Sequence, residues 1–449
     1  MNSAHRFSQP IFSYPGSRPL VLQTNITPSS QSSIPSSRDI LRQELPNGII
    51  ALARANFSSP SVVIKGYLEV GALFDPEDRL GLADFTAAAL MRGTTYRDFL
   101  SIYDALESAA ASLGFEGGTH TTHFGGKSLA EDLDLVLELL GECLRYPTFP
   151  SEQIERLRAQ LLTALAIRQQ DTAEMASLTF DKIVYDGHPY SRPEEGYPET
   201  IQAIRREDVE QFHKMYYGPR RMVIVVVGAV EPQVAVERIA YYLGDWQNPH
   251  QPQLPALPPV KPLETSIMEK VNIPAKSQAD LIMGVAGPER RSPHFLAAAL
   301  GNSVLGQFGM MGRIGEVVRK QAGLAYYAYS SLEGGLGPGP WYVAAGVDPA
   351  NIERAIELIR AEIERFISEA VSEEELSDSQ ASFIGRLPLS LETNTGVASA
   401  ILNLERFDLG LDYYLQYPDL VRAVTRQEVL ETARRYLHPD RLGIAIAGP

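Results

Sequence analysis

Hydrophobic and polar residues follow two kinds of pattern along the chain. Short apolar runs of strand length occupy residues 49–53, 62–69 and 222–227. Longer segments, such as 151–170 and 351–370, place apolar residues three and four positions apart, as one face of an α-helix does. Strands mixed with long amphipathic helices predict an α+β protein whose helices pack on an antiparallel or mixed sheet.

The pattern occurs twice. A shift of 220 positions brings one series of residues onto a series of identical residues: Ala203, Arg206, Val209, Tyr216, Pro219, Arg221, Ile224 and Gly228 fall on Ala423, Arg426, Val429, Tyr436, Pro439, Arg441, Ile444 and Gly448. Each copy predicts a helix ending at tyrosine, a proline turn and an apolar strand closed by glycine. Each half also has an earlier strand followed by an alanine-rich helix, which favours an internal duplication.

Composition divides the chain into segments. The first 38 residues are rich in Ser, Pro, Gln and Asn without hydrophobic periodicity, which favours a flexible arm. Prolines crowd the stretch from residue 247 onwards and predict a semi-rigid linker. We therefore predict a flexible arm (1–38), an N-terminal domain (39–246), a Pro-rich linker (247–264) and a homologous C-terminal domain (265–449).

The charge and the lack of special segments narrow the function classes. A net charge of −15 and a pI near 5.1 repel phosphate backbones and anionic membranes, so we expect neither nucleic acid nor membrane as a partner. No secretory signal or membrane-span pattern is present, and the expected location is the cytoplasm. The single cysteine, Cys143, lies in an apolar run and is expected to be buried.

Several familiar site patterns fail. His120 and His123 lie three apart in a strand-like stretch, where they face opposite sides, so a structural role is favoured over metal binding. Gly126-Lys127-Ser128 lacks the first glycine of a phosphate loop. The glycine-rich stretch 334–340 is compatible with a substrate-contacting loop, although a hairpin connection is the simpler interpretation.

Residues 81–94, Gly-Leu-Ala-Asp-Phe-Thr-Ala-Ala-Ala-Leu-Met-Arg-Gly-Thr, resemble the zinc-helix region of the pitrilysin and mitochondrial-processing-peptidase family, the inverted zincins. Active members carry His-x-x-Glu-His there, with two zinc-binding histidines one helical turn apart. Those three slots hold Asp84, Ala87 and Ala88, and the later position of the family's glutamate ligand falls on Ala164. The resemblance therefore implies that this chain binds no zinc.

The resemblance covers residues 40–449, including Tyr-Asp-Gly-His-Pro-Tyr at 185–190. It implies two homologous α/β-roll halves of the processing-peptidase kind, each with a mixed, mostly antiparallel sheet and helices on one face. In the second half, residues 312–330 resemble the family's Arg-x-x-x-Gly-Leu-Ala-Tyr segment. Arg319 and Tyr326 fall on the arginine and tyrosine that face the zinc in active relatives, and Gly323 is expected to end the helix between them.

The pattern of loss and retention implies a division of labour. We expect a non-catalytic subunit that lends Arg319 and Tyr326 to the zinc site of a homologous His-x-x-Glu-His partner, in a heterodimer acting on short or unfolded peptides. A tyrosine hydroxyl can donate to the developing oxyanion, and a guanidinium can bind a substrate carbonyl or carboxylate. The alternatives are a scaffolding or peptide-binding homologue without a role in proteolysis, with Arg319 a surface residue and Tyr326 a half-buried aromatic.

Overall fold

Two sheets of related topology organise residues 34–449, the part of the chain that the computed structural model describes. Most of the predicted arm, residues 1–33, lies outside the described residues. The strands of the first sheet are β1 (Leu41–Glu44), β2 (Ile50–Ala55), β3 (Ser61–Leu68), β4 (Ser112–Glu116), β5 (Thr122–Leu129) and β6 (Val223–Gly228). Those of the second are β7 (Ile267–Asn272), β8 (Ala279–Ala286), β9 (Ala325–Leu332), β10 (Pro340–Val347) and β11 (Gly443–Gly448).

The strand orders confirm the predicted duplication and the mixed, mostly antiparallel sheets. The first sheet runs β1-β2-β6-β3-β5-β4 and the second β7-β11-β8-β10-β9. In each sheet one pair is parallel, β2 with β6 and β7 with β11, and the other neighbours are antiparallel. The 220-residue shift in sequence aligns β6 with β11. The two sheets then have the same strand order and directions, and only β1 lacks a counterpart among the described strands.

The helices connect the strands and cover the sheets. In residues 34–449 the α-helices are α1 (Leu82–Ala89), α2 (Phe99–Ser108), α3 (Leu133–Arg145), α4 (Ser151–Arg168), α5 (Thr172–Val184), α6 (Pro198–Ala203), α7 (Arg206–Tyr216), α8 (Pro232–Leu243), α9 (Phe295–Asn302), α10 (Ile352–Ser368), α11 (Glu373–Ser390), α12 (Asn394–Arg406), α13 (Tyr413–Ala423) and α14 (Arg426–Tyr436). No helix or strand lies between Leu243 and Ile267 in this part of the chain.

The duplication extends to hydrogen bonds. At the start of α7, the Asp208 carboxylate accepts from the backbone N–H of Arg205 at 2.7 Å. At the start of α14, Glu428 accepts from the backbone N–H of Thr425 at 2.7 Å, and the Thr425 hydroxyl accepts from the N–H of Glu428. Side chains that satisfy the unpaired N–H groups of a first turn fix where a helix begins.

Each half covers the free face of the other half's sheet with one helix. The helix α12 of the second half packs on β6 and β3, and α5 of the first half packs on β11 and β8. We call α5 and α12 the exchanged helices. Their packing explains why β6 is a continuous apolar run, because Ile224 and Val226 face the helices of their own half while Val223, Val225 and Val227 face α12.

Polar contacts anchor both exchanged helices at their first turns. Asn394 of α12 donates to the carbonyl oxygen of Ser61 at 3.2 Å and accepts from the side chain of Asn56 at 2.7 Å. Thr172 of α5 donates to the buried carboxylate of Asp280 on β8, which also accepts from Tyr327. Buried polar groups are stable only when paired, so these contacts fix the position of each helix along the opposite sheet.

Local predictions from the sequence are confirmed at several positions. The stretch 334–340 joins the antiparallel neighbours β9 and β10 and is a hairpin connection. Cys143 is fully buried in the core of the first half, and burial raises the pKa of its thiol to about 12.

None of the helices in residues 34–449 is both long enough and apolar enough to cross a membrane.

Asp181 on the exchanged helix α5 makes stability depend on pH. Burial and the nearby charge of Glu333 raise the pKa of Asp181 to about 7. This pKa lies above the unfolded value of about 4, so the folded state binds the proton of Asp181 more tightly than the unfolded state does. The contribution of Asp181 to the free energy of unfolding is therefore most favourable below pH 4, and this advantage is lost as pH rises through 7. We expect Asp181→Asn to raise the free energy of unfolding by roughly 2 kcal/mol at pH 8 and by much less at pH 5, measured by urea unfolding at both values.

Asp98 provides the matched control for that prediction. It is exposed, it caps α2 by accepting from the N–H of Ser101 at 2.8 Å, and these bonds lower the pKa of Asp98. It is therefore ionised in both states between pH 5 and 8, and Asp98→Asn should change stability by the same amount at both values. An equal effect of Asp181→Asn at the two pH values would contradict the assignment.

Candidate functional site

The helix α1, which resembles the zinc helix, is largely buried and is capped at its start by a side chain from outside the helix. The carboxylate of Asp75, itself buried, accepts from the backbone N–H groups of Gly81 and Ala83, both at 2.8 Å. These bonds satisfy unpaired donors at the start of α1. The helix then packs against α4 and α7, with the guanidinium of Arg158 lying 5.5 Å from the ring centre of Phe85.

The four predicted ligand positions lie on α1 and α4 without a set of metal donors. Ala87 is buried, Asp84 and Ala88 are half-buried, and Ala164 is exposed on α4. Among these four residues only Asp84 has a side-chain oxygen, whereas a catalytic zinc uses three protein ligands. Within residues 34–449, no three His, Cys, Asp or Glu side chains lie close enough to hold a metal ion. The side chains at these positions therefore do not fit the zinc that the family's fold implies.

Asp84 has an environment that disfavours a charged carboxylate. Burial raises the pKa of Asp84 to about 7, and the charges of Glu195 and Glu194 act in the same direction. The α-carbon of Asp84 would lie 2.6 Å from a side-chain carbon at position 117, so only Gly117 permits this close approach of α1 to the end of β4. Asp84 thus lies near acidic groups and has no ion-pair partner among residues 34–449.

The histidines of the stretch 120–123 are held by hydroxyl groups and by a guanidinium. His120 Nε2 lies 2.6 Å from the hydroxyl of Tyr190, and His123 Nε2 lies 2.9 Å from the hydroxyl of Thr121 and 3.1 Å from a guanidinium nitrogen of Arg406. Burial and the charge of Arg406 lower the pKa of both histidines to about 4. Both are neutral at pH 7 and act as hydrogen-bonding residues within the fold.

Arg319 lies on a helical segment of unusual geometry. Residues Gly315–Gln321 form a π-helix, which ends with the N–H of Ala322 donating to the carbonyl oxygen of Val317 at 3.2 Å. Gly323 follows with φ +66, the left-handed conformation that lets the chain reverse into β9, as predicted. The Arg319 side chain is exposed and has no ion-pair or hydrogen-bond partner among the described residues. Short π-helical segments occur often at functional sites.

Tyr326 lies at a β-bulge in the edge strand β9. Gly346 of β10 pairs with Tyr327 and Val347 pairs with Ala325, so Tyr326 is the extra residue between two regular pairs. A bulge breaks the alternation of side chains and redirects the inserted one. The Tyr326 side chain is 67% exposed, whereas Tyr327 on one side donates to Asp280 and Ala328 is buried in the second core.

Arg319 and Tyr326 are both exposed and lie on elements that pack together. The π-helical segment packs against β9, so the guanidinium and the phenol lie on neighbouring elements that face solvent. The hydroxyl of Tyr326 also has no partner among residues 34–449. A planar cation and a neutral donor, both without partners inside the fold, are available to an external acceptor such as a peptide carbonyl.

Arg406, at the end of α12, was not predicted from the sequence as a site residue. A single arginine in the last turn of a helix is a common stabilising arrangement and carries no signal of its own. Its contact with His123 joins residues that are far apart in the chain. Only the packing of α12 on the opposite half brings them together.

Comparison with known proteins agrees with this fold. A family model described as "Insulinase (Peptidase family M16)" matches residues 51–195, and one described as "Peptidase M16 inactive domain" matches residues 203–383. A solved structure described as a peptidase M16 inactive domain from Pseudomonas fluorescens superposes with a TM-score of 0.84 at 23% identity, covering 91% of this chain and 98% of that one.

Three curated relatives span most of the chain. An uncharacterized zinc protease of Mycobacterium leprae is 24% identical over 92% of each chain. The mitochondrial-processing peptidase subunit beta of Bos taurus is 21% identical over 85% of this chain and 79% of its own. The non-peptidase homolog YmxG of Helicobacter pylori is 24% identical over 84% of this chain and 86% of its own.

These matches confirm the resemblance that the residues 81–94 and 312–330 indicated. The two family models match two consecutive segments of the chain, the first within the first half and the second running from the end of the first half into the second. The relatives include proteins named as proteases and one named as a non-peptidase homologue. The chain belongs to the peptidase M16 family, and its residues 203–383 match the model that describes an inactive domain of that family.

Proposed function

We propose that this chain is the non-catalytic subunit of a heterodimeric zinc peptidase, and that Arg319 and Tyr326 act at the zinc site of a homologous His-x-x-Glu-His partner. The observation that carries the proposal is the bulge in β9, at which the Tyr326 side chain is exposed; neither Tyr326 nor the exposed Arg319 has a side-chain partner in residues 34–449. A half-buried aromatic in a regular strand would not need this irregularity.

Peptide hydrolysis at zinc places negative charge on the carbonyl oxygen of the substrate as the tetrahedral intermediate forms. A donor that is already in position stabilises that charge. The phenol of Tyr326 can donate to this oxygen, and the guanidinium of Arg319 can bind a second carbonyl or a carboxylate of the peptide. In this proposal the partner supplies the metal and the water, and the present chain supplies the two donors.

The ligand positions of α1 are consistent with this division of labour. Ala87 and Ala88 offer no donor atoms, and Asp84 lies among Glu194 and Glu195 in surroundings that favour its protonated form. The relative from Bos taurus is named as a subunit of a peptidase, and the relative from Helicobacter pylori as a non-peptidase homologue. Short or unfolded peptides are the proposed substrates, because an extended peptide can add to a sheet edge through its backbone.

The proposal is tested by reconstitution. We expect the full chain and a His-x-x-Glu-His homologue from the same cell to copurify in a one-to-one complex that hydrolyses a fluorogenic unfolded peptide, while this chain alone is inactive. Zinc analysis should find the metal in the partner. Unaided hydrolysis by this chain with its own tightly bound ion, or failure of the two chains to associate, would refute the proposal; association without any change in rate would indicate a scaffolding subunit.

A further inference from the structure

A cavity of about 150 Å³ lies where the end of α12 meets the first sheet. The first half contributes Tyr67, Glu69 and Arg221 to its wall, and the second half contributes Arg291, Glu405 and Arg406. Arg319 and Tyr326 do not line this cavity. Three arginines and two glutamates line this one small cavity. Which of these charges have partners decides what charge the cavity presents to a ligand.

Three of the five charged side chains in the wall have a partner of opposite charge. Arg221 Nε lies 2.8 Å from a carboxylate oxygen of Glu69. Glu405 accepts two hydrogen bonds from Arg42, at 2.7 and 2.9 Å, in the bidentate geometry that suits a guanidinium and a carboxylate. Arg291 and Arg406 have no carboxylate within ion-pair distance among residues 34–449, so the cavity retains two unpaired positive charges.

Arg406 is the better buried of these two arginines. One of its terminal nitrogens lies 3.1 Å from His123 Nε2, and its guanidinium carbon lies 6.0 Å from the ring centre of Tyr67. Its Nε is buried and has no acceptor in the part of the chain that the structure describes. Since His123 is neutral, Arg406 is a partly buried cation without an ion-pair partner in residues 34–449. Its unpaired Nε is costly unless a ligand or water supplies an acceptor.

Arg291 extends the same basic wall towards solvent. Its Nε donates to the carbonyl oxygen of Phe407, the residue after Arg406, at 3.1 Å. That bond holds the guanidinium beside the end of α12 and leaves its terminal nitrogens without an acceptor in residues 34–449. Both arginines thus line the same cavity and have N–H groups without an acceptor in residues 34–449.

We infer that this cavity binds a carboxylate group of a ligand, held between Arg406 and Arg291. A planar carboxylate matches the N–H fork of a guanidinium. The cavity has room for a group of about five water volumes, which fits a carboxylate with one or two neighbouring atoms. Glu69 and Glu405 are already paired with Arg221 and Arg42, so they do not compete with a ligand for the free N–H groups of Arg406 and Arg291. The carboxylate can belong to the C-terminus of a peptide or to a free small acid.

The test is direct binding to the full chain without a partner subunit, so that it stands apart from the peptidase assay. Calorimetric titrations at pH 7 and low salt would compare N-acetyl-trialanine with a free C-terminus, the same peptide as its C-terminal amide, and acetate. We expect the acid to bind about tenfold tighter than the amide, or better. Acetate binding as tightly as the peptide acid assigns the site to a small free carboxylate, and weaker acetate binding assigns it to a peptide terminus.

Variants locate the binding within the cavity. Arg406→Gln and Arg291→Gln should each weaken binding of the acid about tenfold or more, with no change for the amide. Arg406→Lys, which keeps the charge, should lose less, and thermal melting checks that each variant is folded. Arg156→Gln, at an exposed arginine paired with Glu152 on α4, is the matched control and should bind like the parent chain. Equal affinity for acid and amide, or full affinity in the folded Arg406→Gln variant, would overturn the inference.

Discussion

Tyr326→Phe should lower kcat of the reconstituted two-subunit peptidase by roughly two orders of magnitude, the usual effect of removing one donor to the oxyanion. The substitution removes only a hydroxyl that is exposed and has no partner in residues 34–449, so the melting temperature should not change. KM should change little, because the hydrogen bond strengthens mainly as the carbonyl oxygen becomes charged. Steady-state hydrolysis of a fluorogenic peptide measures both constants.

The control for this prediction is Tyr241→Phe, at a tyrosine of α8 that is 69% exposed and should be silent. Arg319→Ala is expected to act differently from Tyr326→Phe. The guanidinium is proposed to bind the substrate before reaction, so its loss should raise KM, and Arg319→Lys should restore the charge without the fork geometry. Unchanged rates in both Tyr326→Phe and Arg319→Ala would remove the proposed role and leave this chain as a scaffold.

Phe180→Ala should destabilise the whole folded unit by about 3–5 kcal/mol, the range for truncating a buried phenylalanine. Phe180 is 1% exposed and lies on the exchanged helix α5, where its ring centre is 5.9 Å from that of Tyr342 in the second sheet. Phe57→Ala is the matched control, since that side chain is 54% exposed and the change should stay within about 0.5 kcal/mol. Equilibrium unfolding in urea measures the difference.

The two tryptophans show whether the loss reaches both halves. Trp246 belongs to the first core and Trp341 to the second. In single-tryptophan versions made by Trp→Phe at the other position, Phe180→Ala should shift both unfolding midpoints by the same amount, because the helix belongs to one half and covers the other. Separate transitions, with only the Trp341 signal displaced, would show that the halves unfold independently.

The sequence predicted most of the regular elements, because each is specified by nearby residues. The strand expected at 222–227 is β6, and the helix expected at 151–170 is α4. The alanine-rich helix expected in the second half is α9, which ends at Asn302 and is followed by a π-helical turn over Ser303–Gln307. That turn packs against β9, a contact between distant residues that no local pattern encodes.

The exchanged helices and the site geometry were beyond local patterns for a physical reason. An apolar run shows that both faces of β6 are buried, but not that α12 of the other half covers one of them. The bulge at Tyr326 arises from the register between β9 and β10, and the place of Arg406 arises from contact with His123. Each of these features depends on residues distant in sequence, so periodicity and spacing did not predict them. The resemblance identified Arg319 and Tyr326, but not how they are exposed.

The reciprocal packing of α5 and α12 has a consequence for the history of the fold. Two copies of one contact, related by exchange, are what a two-fold symmetric homodimer forms. A half-length ancestor would have left one sheet face bare as a monomer and covered it as a domain-swapped dimer. Joining the two copies in one polypeptide fixes their stoichiometry and frees them to diverge, as the valines of β6 and the alanines Ala445 and Ala447 of β11 under the opposite helix illustrate.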